Sequence, residues 1–343
     1  MNLELASILV PVYNAEAYLP ALIQSVRVQS YQHWELVFVD DQSTDGGFDY
    51  IRAAAAEDDR IRLWQNDENR GPSATLNRAA DLARGDLLFR LDADDLMLPE
   101  RLERQVRFMA DHPNVGLLGS AYRNIDDAGQ RGNRVGSRIT SSDGVKAKFL
   151  FANAMGHSTV VYRRRAFTAV GGYNQRLRAS LDYDLLARLS LETDCHLLRE
   201  ELVLYRTHNS NITSQQRQLQ IQNAGSVQEA LLRHYGFSFT AEQLDIHLQM
   251  AHGPRATNRV AYRAFLRRAR TWLSHLEAEN SRLGAFDRRA FAEVIAEVHT
   301  RLYARAASPL RLRDYITMFT PNFASLRPHY LVQQVAHTLK NGL

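Results

Sequence analysis

Three carboxylates within four residues, Asp92, Asp94 and Asp95, close an apolar run from Leu87 to Leu91 that only Arg90 interrupts. Such a run reads as a buried strand. Unpaired carboxylates are very costly to bury, so these belong at an exposed strand end. Carboxylate oxygens gathered there suit a hard divalent cation such as Mg²⁺ or Mn²⁺. In open α/β sheets, ligands bind at strand ends. A solvated acidic turn capping a helix that starts near Pro99 would carry the same residues. The surrounding chain has to decide between the two.

The elements that would position these groups lie on both sides of them. Residues 5–12 form an apolar strand that runs into a break at Tyr13 and Asn14. Residues 17–29 have helical spacing, with Leu19, Leu22, Ile23 and Val26 on one face. Residues 34–41 read as a second strand that ends in Asp40 and Asp41. A turn, an alanine-rich helix and a short strand at 61–64 follow. Residues 69–73 are a turn, and 74–83 a helix. This βαβαβαβ alternation predicts an α/β fold, a mostly parallel sheet covered by helices. Parallel strands bring Asp40, Asp41 and the acidic turn to the same edge. Neither G-x-G-x-x-G nor G-x-x-x-x-G-K-[ST] follows the first strand. A bound nucleoside diphosphate would therefore have its charge met by a metal on the aspartates.

The middle of the chain is mixed. Strands are expected at 115–120, 158–162 and 202–205, a hairpin-like turn at 126–129, and a helix at 181–191 with Asp182 and Asp184 in its first turn. From about residue 226 every segment has helical spacing, including 330–339. The expected division is 1–225, split into a nucleotide-binding half (1–112) and an acceptor-side half (113–225), and a helical domain at 226–343. The net charge of +4 is unevenly spread: residues 226–343 hold sixteen Arg or Lys against nine Asp or Glu. That excess suits an anionic surface, lipid included, or a solvated helical face. No nucleic-acid-binding signature accompanies it. Cys195 is the one cysteine, which fits a reducing compartment. No run of about 18 apolar residues is present, and the start lacks a secretory pattern. The expectation is a cytoplasmic protein, with peripheral attachment to the inner face of the membrane through the basic helices as the variant.

In family order, the chain carries Val10-Pro11-Val12-Tyr13-Asn14, Val39-Asp40-Asp41 with Ser43 and Asp45, Asn69-Arg70-Gly71, Gly85-Asp86, Leu91 to Asp95, Gly171-Gly172-Tyr173, Asp182 with Asp184 and Arg188, and Tyr205-Arg206 with His208. Over residues 5–215 this ordered set resembles the family 2 glycosyltransferases of the GT-A fold. The helical region resembles appendages of bacterial members more loosely. The resemblance implies a metal-dependent, inverting enzyme that moves a sugar from a nucleoside diphosphate, UDP foremost, to a glycan or lipid-linked acceptor hydroxyl in surface glycan synthesis. It implies Pro11, Tyr13, Asn14, Asp40, Asp41, Asn69, Arg70, Asp92 and Asp94 as donor-binding residues. Asp94, Asp95 and His208 would be metal ligands for Mn²⁺ or Mg²⁺. Which of Asp92, Asp94 and Asp95 meets the metal directly stays open. Asp182 is implied as the general base, with Asp184 in competition because Leu181 stands where the family often has Glu. Two other readings compete: a non-catalytic nucleotide-sugar-binding module, and a phosphatase of the haloacid dehalogenase type with Asp92 as nucleophile.

Overall fold

The computed structural model describes residues 4–207, 217–254 and 258–304. Strands β1 (Ala6–Val12), β2 (Trp34–Asp40), β3 (Ile61–Gln65) and β4 (Leu87–Arg90) alternate with helices α1 (Leu19–Arg27), α2 (Gly47–Glu57) and α3 (Pro72–Leu82). Nearly every residue of β1, β2 and β4 is buried, as strands covered on both faces require. The apolar stripe of α1 packs with Ile8, Val10, Leu36 and Phe38. Helix α3 also packs on β1 and β2.

The chain continues through β5 (Leu96–Met97), α4 (Arg101–Asp111), β6 (Val115–Ile125), β7 (Arg131–Val135), α5 (Ser142–Phe149), β8 (Val161–Arg163), α6 (Arg164–Ala169), α7 (Leu181–Glu192) and β9 (Asp194–Arg206). The strand order is β3-β2-β1-β4-β8-β6-β9-β5, with β7 on β6. The fold is α/β, but the sheet is mixed where a mostly parallel one was expected. Only β3-β2-β1-β4 and the β6–β9 pair are parallel. Strand β8 runs antiparallel to both β4 and β6, and hairpin β7 to β6. Of these antiparallel pairs, β6 and β7 are joined directly by a short turn, whereas β8 comes to β4 and β6 from far along the chain.

The order puts β2 and β4 on opposite sides of β1. The chain therefore reverses direction across the sheet at β1, and sheets of this kind bind ligands in the crevice beyond the carboxyl ends of such strands, here β1, β2 and β4. The opposite ends of the same strands are locked together. Ser7 Oγ donates to Glu35 Oε1 at 2.7 Å and accepts from Gly85 N at 2.9 Å. Arg62 donates to Glu35 Oε2 at 2.6 Å. Burial alone would raise the Glu35 pKa, but the N–H of Arg84, Ser7 and Arg62 outweigh it and hold the carboxyl below its ordinary value.

The described residues separate into two compact units. One is the sheet unit, up to Lys146 and again from Asn153 to Val227. The other combines Ala147–Ala152 with the helices from Gln228 onward. Its elements come from α8 (Arg217–His234), α9 (Ala241–His252), α10 (Arg259–Leu283) and α11 (Arg288–Ala304). Helix α9 starts on a capping box between Thr240 and Gln243. Trp272, Leu276, Phe286 and Phe291 are buried in this unit. The helix expected at 330–339 lies outside the described residues, as does His208. Among the described residues no helix is long and apolar enough to cross a membrane.

Gly85, just before β4, makes the tightest backbone approach among the described glycines. A Cβ there would stand 2.1 Å from the carbonyl oxygen of Leu5. Gly85→Ala is expected to lower unfolding free energy by about 3 kcal/mol, measured by urea denaturation. A loss below about 0.5 kcal/mol would show that β1 and β4 tolerate separation here.

Candidate active site

Each strand end at the crevice presents one group from the sequence analysis. Beyond β1, the Tyr13 ring is 54% exposed, and half-buried Pro11 lies two residues before it. Asn14 follows with φ +49°. Its amide oxygen accepts from Thr44 N at 2.8 Å, and its own N–H donates to Ser43 Oγ at 3.0 Å. Asn14 thus ties the end of β1 to the loop after β2.

Asp40 and Asp41 have different surroundings. Asp40 Oδ2 accepts from Ser43 N at 3.1 Å and Gln65 Nε2 at 2.9 Å. Asp40 Oδ1 is buried without a partner. Asp41 accepts from Asn66 Nδ2 at 2.6 Å, Arg70 N at 2.9 Å and Gly71 N at 2.8 Å. Asn69 Nδ2 reaches the Asp41 carbonyl at 3.1 Å. Asp41 therefore holds the 69–71 loop in place. Both carboxylate oxygens of Asp41 are thus engaged by the protein. Asn69 and Arg70 are exposed on that loop.

The acidic turn after β4 is the electrostatic centre. Arg90, 2% exposed, pairs with Asp92 Oδ1. Ser158 Oγ donates to Asp92 Oδ2 at 2.9 Å and accepts the Asp92 N–H at 2.9 Å. Burial works to raise the Asp92 pKa, but Arg90, His157 and Ser158 outweigh it and leave the carboxyl below its ordinary value. Asp95 is buried. Its Oδ1 accepts from Arg206 N at 2.7 Å, and its Oδ2 has no partner. Burial first, then the charges of Asp92 and Asp94, hold the Asp95 carboxyl well above the usual range. The Arg206 guanidinium donates to the Asp94 carbonyl at 2.9 Å and the Asp126 carbonyl at 2.6 Å. Beneath the turn, Arg101 is fully buried and donates to the Arg90 carbonyl at 2.9 Å.

A divalent cation fits this donor set. Both Asp92 oxygens already have protein donors, whereas Asp95 keeps a buried, unpartnered oxygen beside half-exposed Asp94. Hard carboxylate oxygens of this kind suit Mg²⁺ or Mn²⁺. Among the described residues no cluster of three or more His, Cys, Asp or Glu is arranged to hold a metal.

Asp182 lies in the first turn of α7, which Ser180 enters at φ +57°. Asn153 Nδ2 donates to Asp182 Oδ2 at 2.8 Å. Burial, opposed by N–H groups of the helix start and reinforced by the charge of Asp92, raises the Asp182 pKa. Asp184 instead pairs with Arg188 at 3.0 Å, and Arg188 also donates to the carbonyls of Val170 and Gly172. Asp184 is thus committed to the Val170–Gly172 turn. Tyr205 gathers the site: burial raises its pKa first, and Asp92, Asp95, Asp94 and Asp182 all add to the rise. The four carboxylates therefore act on one hydroxyl. His157 is held neutral, its pKa pulled to about 3 by burial and then by Arg90, and it meets the Tyr173 hydroxyl at 2.8 Å.

Arg90, Arg101, Ser158 and Asn153 were not singled out from sequence. Arg90 had a signal: a cation in an apolar strand needs a partner, and Asp92 is two residues on, on the same face. Arg188, four residues after Asp184, was a helical pairing signal. Asn153 and Ser158 had none.

Residues 7–171 match the model for glycosyl transferase family 2. Bacillus subtilis (strain 168) EpsE, named as a glycosyltransferase, is 37% identical over 185 residues, which are 53% of this chain and 65% of EpsE. An Aeromonas hydrophila undecaprenyl-phosphate 4-deoxy-4-formamido-L-arabinose transferase is 32% identical over 173 residues, 49% of this chain and 52% of that protein. The chain thus spans about half to two-thirds of these curated relatives. S. aureus TarS 1-349, solved with UDP-GlcNAc, superposes with TM-score 0.56 at 16% identity, covering 89% of this chain and 92% of that one. The mannosyltransferase PcManGT of Pyrobaculum calidifontis, solved with GDP-Man and Mn²⁺, has TM-score 0.53 at 18% identity, covering 98% and 88%. These two likenesses are of fold.

The buried Asp95 carboxylate yields a stability test. A carboxyl with a raised folded-state pKa destabilises once pH exceeds its unfolded value, and the full penalty is reached above the folded one. In chelator at about pH 8, Asp95→Asn should be more stable than wild type by about 1–3 kcal/mol. The gap should close as pH falls toward about 4. Identical thermal melting at both pH values would show that Asp95 carries no buried charge.

Proposed function

We propose a donor, a reaction and residue roles for this chain, which belongs to glycosyl transferase family 2 through residues 7–171. The reaction is transfer of a glycosyl group from a nucleoside diphosphate sugar, a UDP-sugar by preference, to an acceptor hydroxyl with inversion. The observation that carries this reading is the convergence of Asp92, Asp94, Asp95 and Asp182 on one site at the crevice. A phosphatase reading has no support in the family match, and Asp92 has both oxygens engaged by Arg90 and Ser158.

The roles follow from what each side chain has left to offer. Asp40 Oδ1, buried and unpartnered, is an acceptor for an N–H of the donor base. The exposed Tyr13 ring offers a stacking face, and half-buried Pro11 would line the same pocket. Asn14 and Asp41 keep the surrounding loops in register, and Asn69 and Arg70 meet the donor from the loop that Asp41 holds. Asp92, fixed and ionised, orients toward hydroxyls of the donor sugar. Asp94 and Asp95, with His208, would hold Mn²⁺ or Mg²⁺; when bound, the cation supplies Lewis-acid stabilisation of the leaving diphosphate. Asp182 accepts the proton of the acceptor hydroxyl while that oxygen bonds to the anomeric carbon and the glycosidic electron pair leaves with the diphosphate. Its raised pKa makes it a better base than an ordinary carboxylate. The bond of Asp184 to Arg188 favours Asp182 over Asp184 for that role.

Names among the relatives, a lipid-phosphate sugar transferase and a teichuronic acid biosynthesis glycosyltransferase, support a glycan or lipid-linked acceptor in bacterial surface glycan synthesis. A cytoplasmic site of action, with the basic residues from 226 onward meeting the membrane surface, goes with that acceptor.

Calorimetric titration of UDP, GDP and dTDP, each with and without Mn²⁺, tests the donor assignment. UDP should bind in a Mn²⁺-dependent way, and Asp95→Ala should abolish the metal dependence. Asp182→Asn should retain nucleotide affinity and lose about 10²- to 10⁴-fold in turnover. Binding of no nucleotide by a folded, metal-loaded protein would sink the donor site. Metal-dependent binding with no UDP release from any sugar donor would favour the non-catalytic module.

A further inference from the structure

We infer that Asn153 is a positioning residue for Asp182, set in place by a clamp on the segment that precedes it. The inference rests on the base role given to Asp182 above.

Among the described residues, Asn153 is the only side chain that donates a hydrogen bond to Asp182, at 2.8 Å. Its own orientation is fixed. Asn153 Oδ1 accepts from the Met155 N–H at 3.3 Å, which turns the amide nitrogen toward the carboxylate. A base must present its lone pair along one direction, and a well-held side-chain donor on Oδ2, with the N–H groups of the helix start, helps to fix it.

The backbone leading into Asn153 is pinned at consecutive residues. The Leu150 carbonyl accepts from His247 Nε2 at 2.7 Å. The Phe151 carbonyl accepts from Gln228 Nε2 at 2.9 Å. Both donors are fully buried. Trp272 Nε1 donates to His247 Nδ1 at 3.1 Å, so the remaining imidazole proton sits on Nε2 and faces Leu150. Lys148 adds an ion pair to Glu297 at 2.9 Å. These groups and residues 147–152 belong to the helical unit, while Asn153 and Asp182 belong to the sheet unit. Two successive carbonyls held by buried donors restrict the backbone two residues ahead of Asn153.

The effect has a pH signature. Asp182 is faced by the carboxylate of Asp92 and by the phenols of Tyr173 and Tyr205. Burial and Asp92 favour its protonated form; the Asn153 amide and the helix N–H groups favour the ionised one. The base works only when ionised, so turnover falls as pH drops through its pKa. Loss of the amide removes a stabiliser of the charge and moves that limb to higher pH.

The test uses full-length protein with Mn²⁺ and UDP-N-acetylglucosamine, UDP-glucose or GDP-mannose, following nucleotide release across pH, with calorimetric UDP binding alongside. Asn153→Ala should move the acidic limb of kcat/KM upward by about one pH unit with UDP affinity unchanged. Asn153→Asp, which adds a second carboxylate, should move it further. Gln228→Ala should shift the limb in the same direction by less. An Asn153→Ala profile that superimposes on wild type, or is lowered equally at every pH, overturns the positioning role. A Gln228→Ala profile matching wild type while Asn153→Ala shifts overturns the clamp. Wild-type turnover in Asp182→Asn instead overturns the base assignment itself, and the inference falls with it.

Discussion

The molecule is built around carboxylates that repel one another at the end of β4. Two unit charges 4 Å apart interact by about 4 kcal/mol at an effective dielectric of 20. Asp92, Asp94 and Asp95 sit within four residues, and Asp182 joins them from α7. The protein offsets this repulsion in several ways. Arg90, buried, neutralises Asp92. Arg101, also buried, lies close enough to Asp95 for that charge to oppose the fall of its own pKa to about 9, which burial causes. Arg206 ties the turn through its backbone N–H and its guanidinium. Asp95 nevertheless remains uncompensated on one oxygen. That residual frustration is the property a cation would relieve.

Holding such a site needs a stiff frame. At the far ends of β1, β2 and β4, Glu35 takes donors from Ser7, Arg62 and the Arg84 backbone. At the near ends the backbone is strained instead. Among the described residues, the three non-glycine residues with positive φ are Asn14, Gln42 and Ser180. They stand just after β1, just after β2 and just before α7, at the three entries to the crevice. Each such conformation costs on the order of 1–3 kcal/mol.

Local periodicity made the first four strands and their helices legible, because each writes its burial into consecutive residues. The acidic turn stood out for the same reason. The second half of the sheet was not. Strand β7 is exposed at all five positions, so it has no apolar alternation to read. Strand β9 pairs parallel to β6 across a long stretch of chain, and β8 reverses direction between β4 and β6. Those choices are made by partners distant in sequence. Asn153 was invisible on the same grounds: its neighbour Asp182 is 29 residues away, and nothing in the residues around it anticipates the meeting.

The harder problem was telling apart carboxylates adjacent in sequence. Asp40 and Asp41 stand side by side, as do Asp182 and Asp184 on one helical turn. In each pair one member is spent on the protein: Asp41 holds the loop at Arg70 and Gly71, and Asp184 holds Arg188. The other keeps capacity to spare, as the unpartnered Oδ1 of Asp40 and the single side-chain donor to Asp182 demonstrate. Residue type and spacing are the same for both members, so a motif cannot separate them. Hydrogen-bond satisfaction separates them here, because a buried acceptor left unpaired costs about 1–3 kcal/mol, which a ligand's donor would recover. The same accounting sets Asp95, with its spare oxygen, apart from Asp92, whose two oxygens are both engaged. In each of these comparisons, the acid with acceptor capacity left over is the one to which the proposed function gives a ligand or a proton.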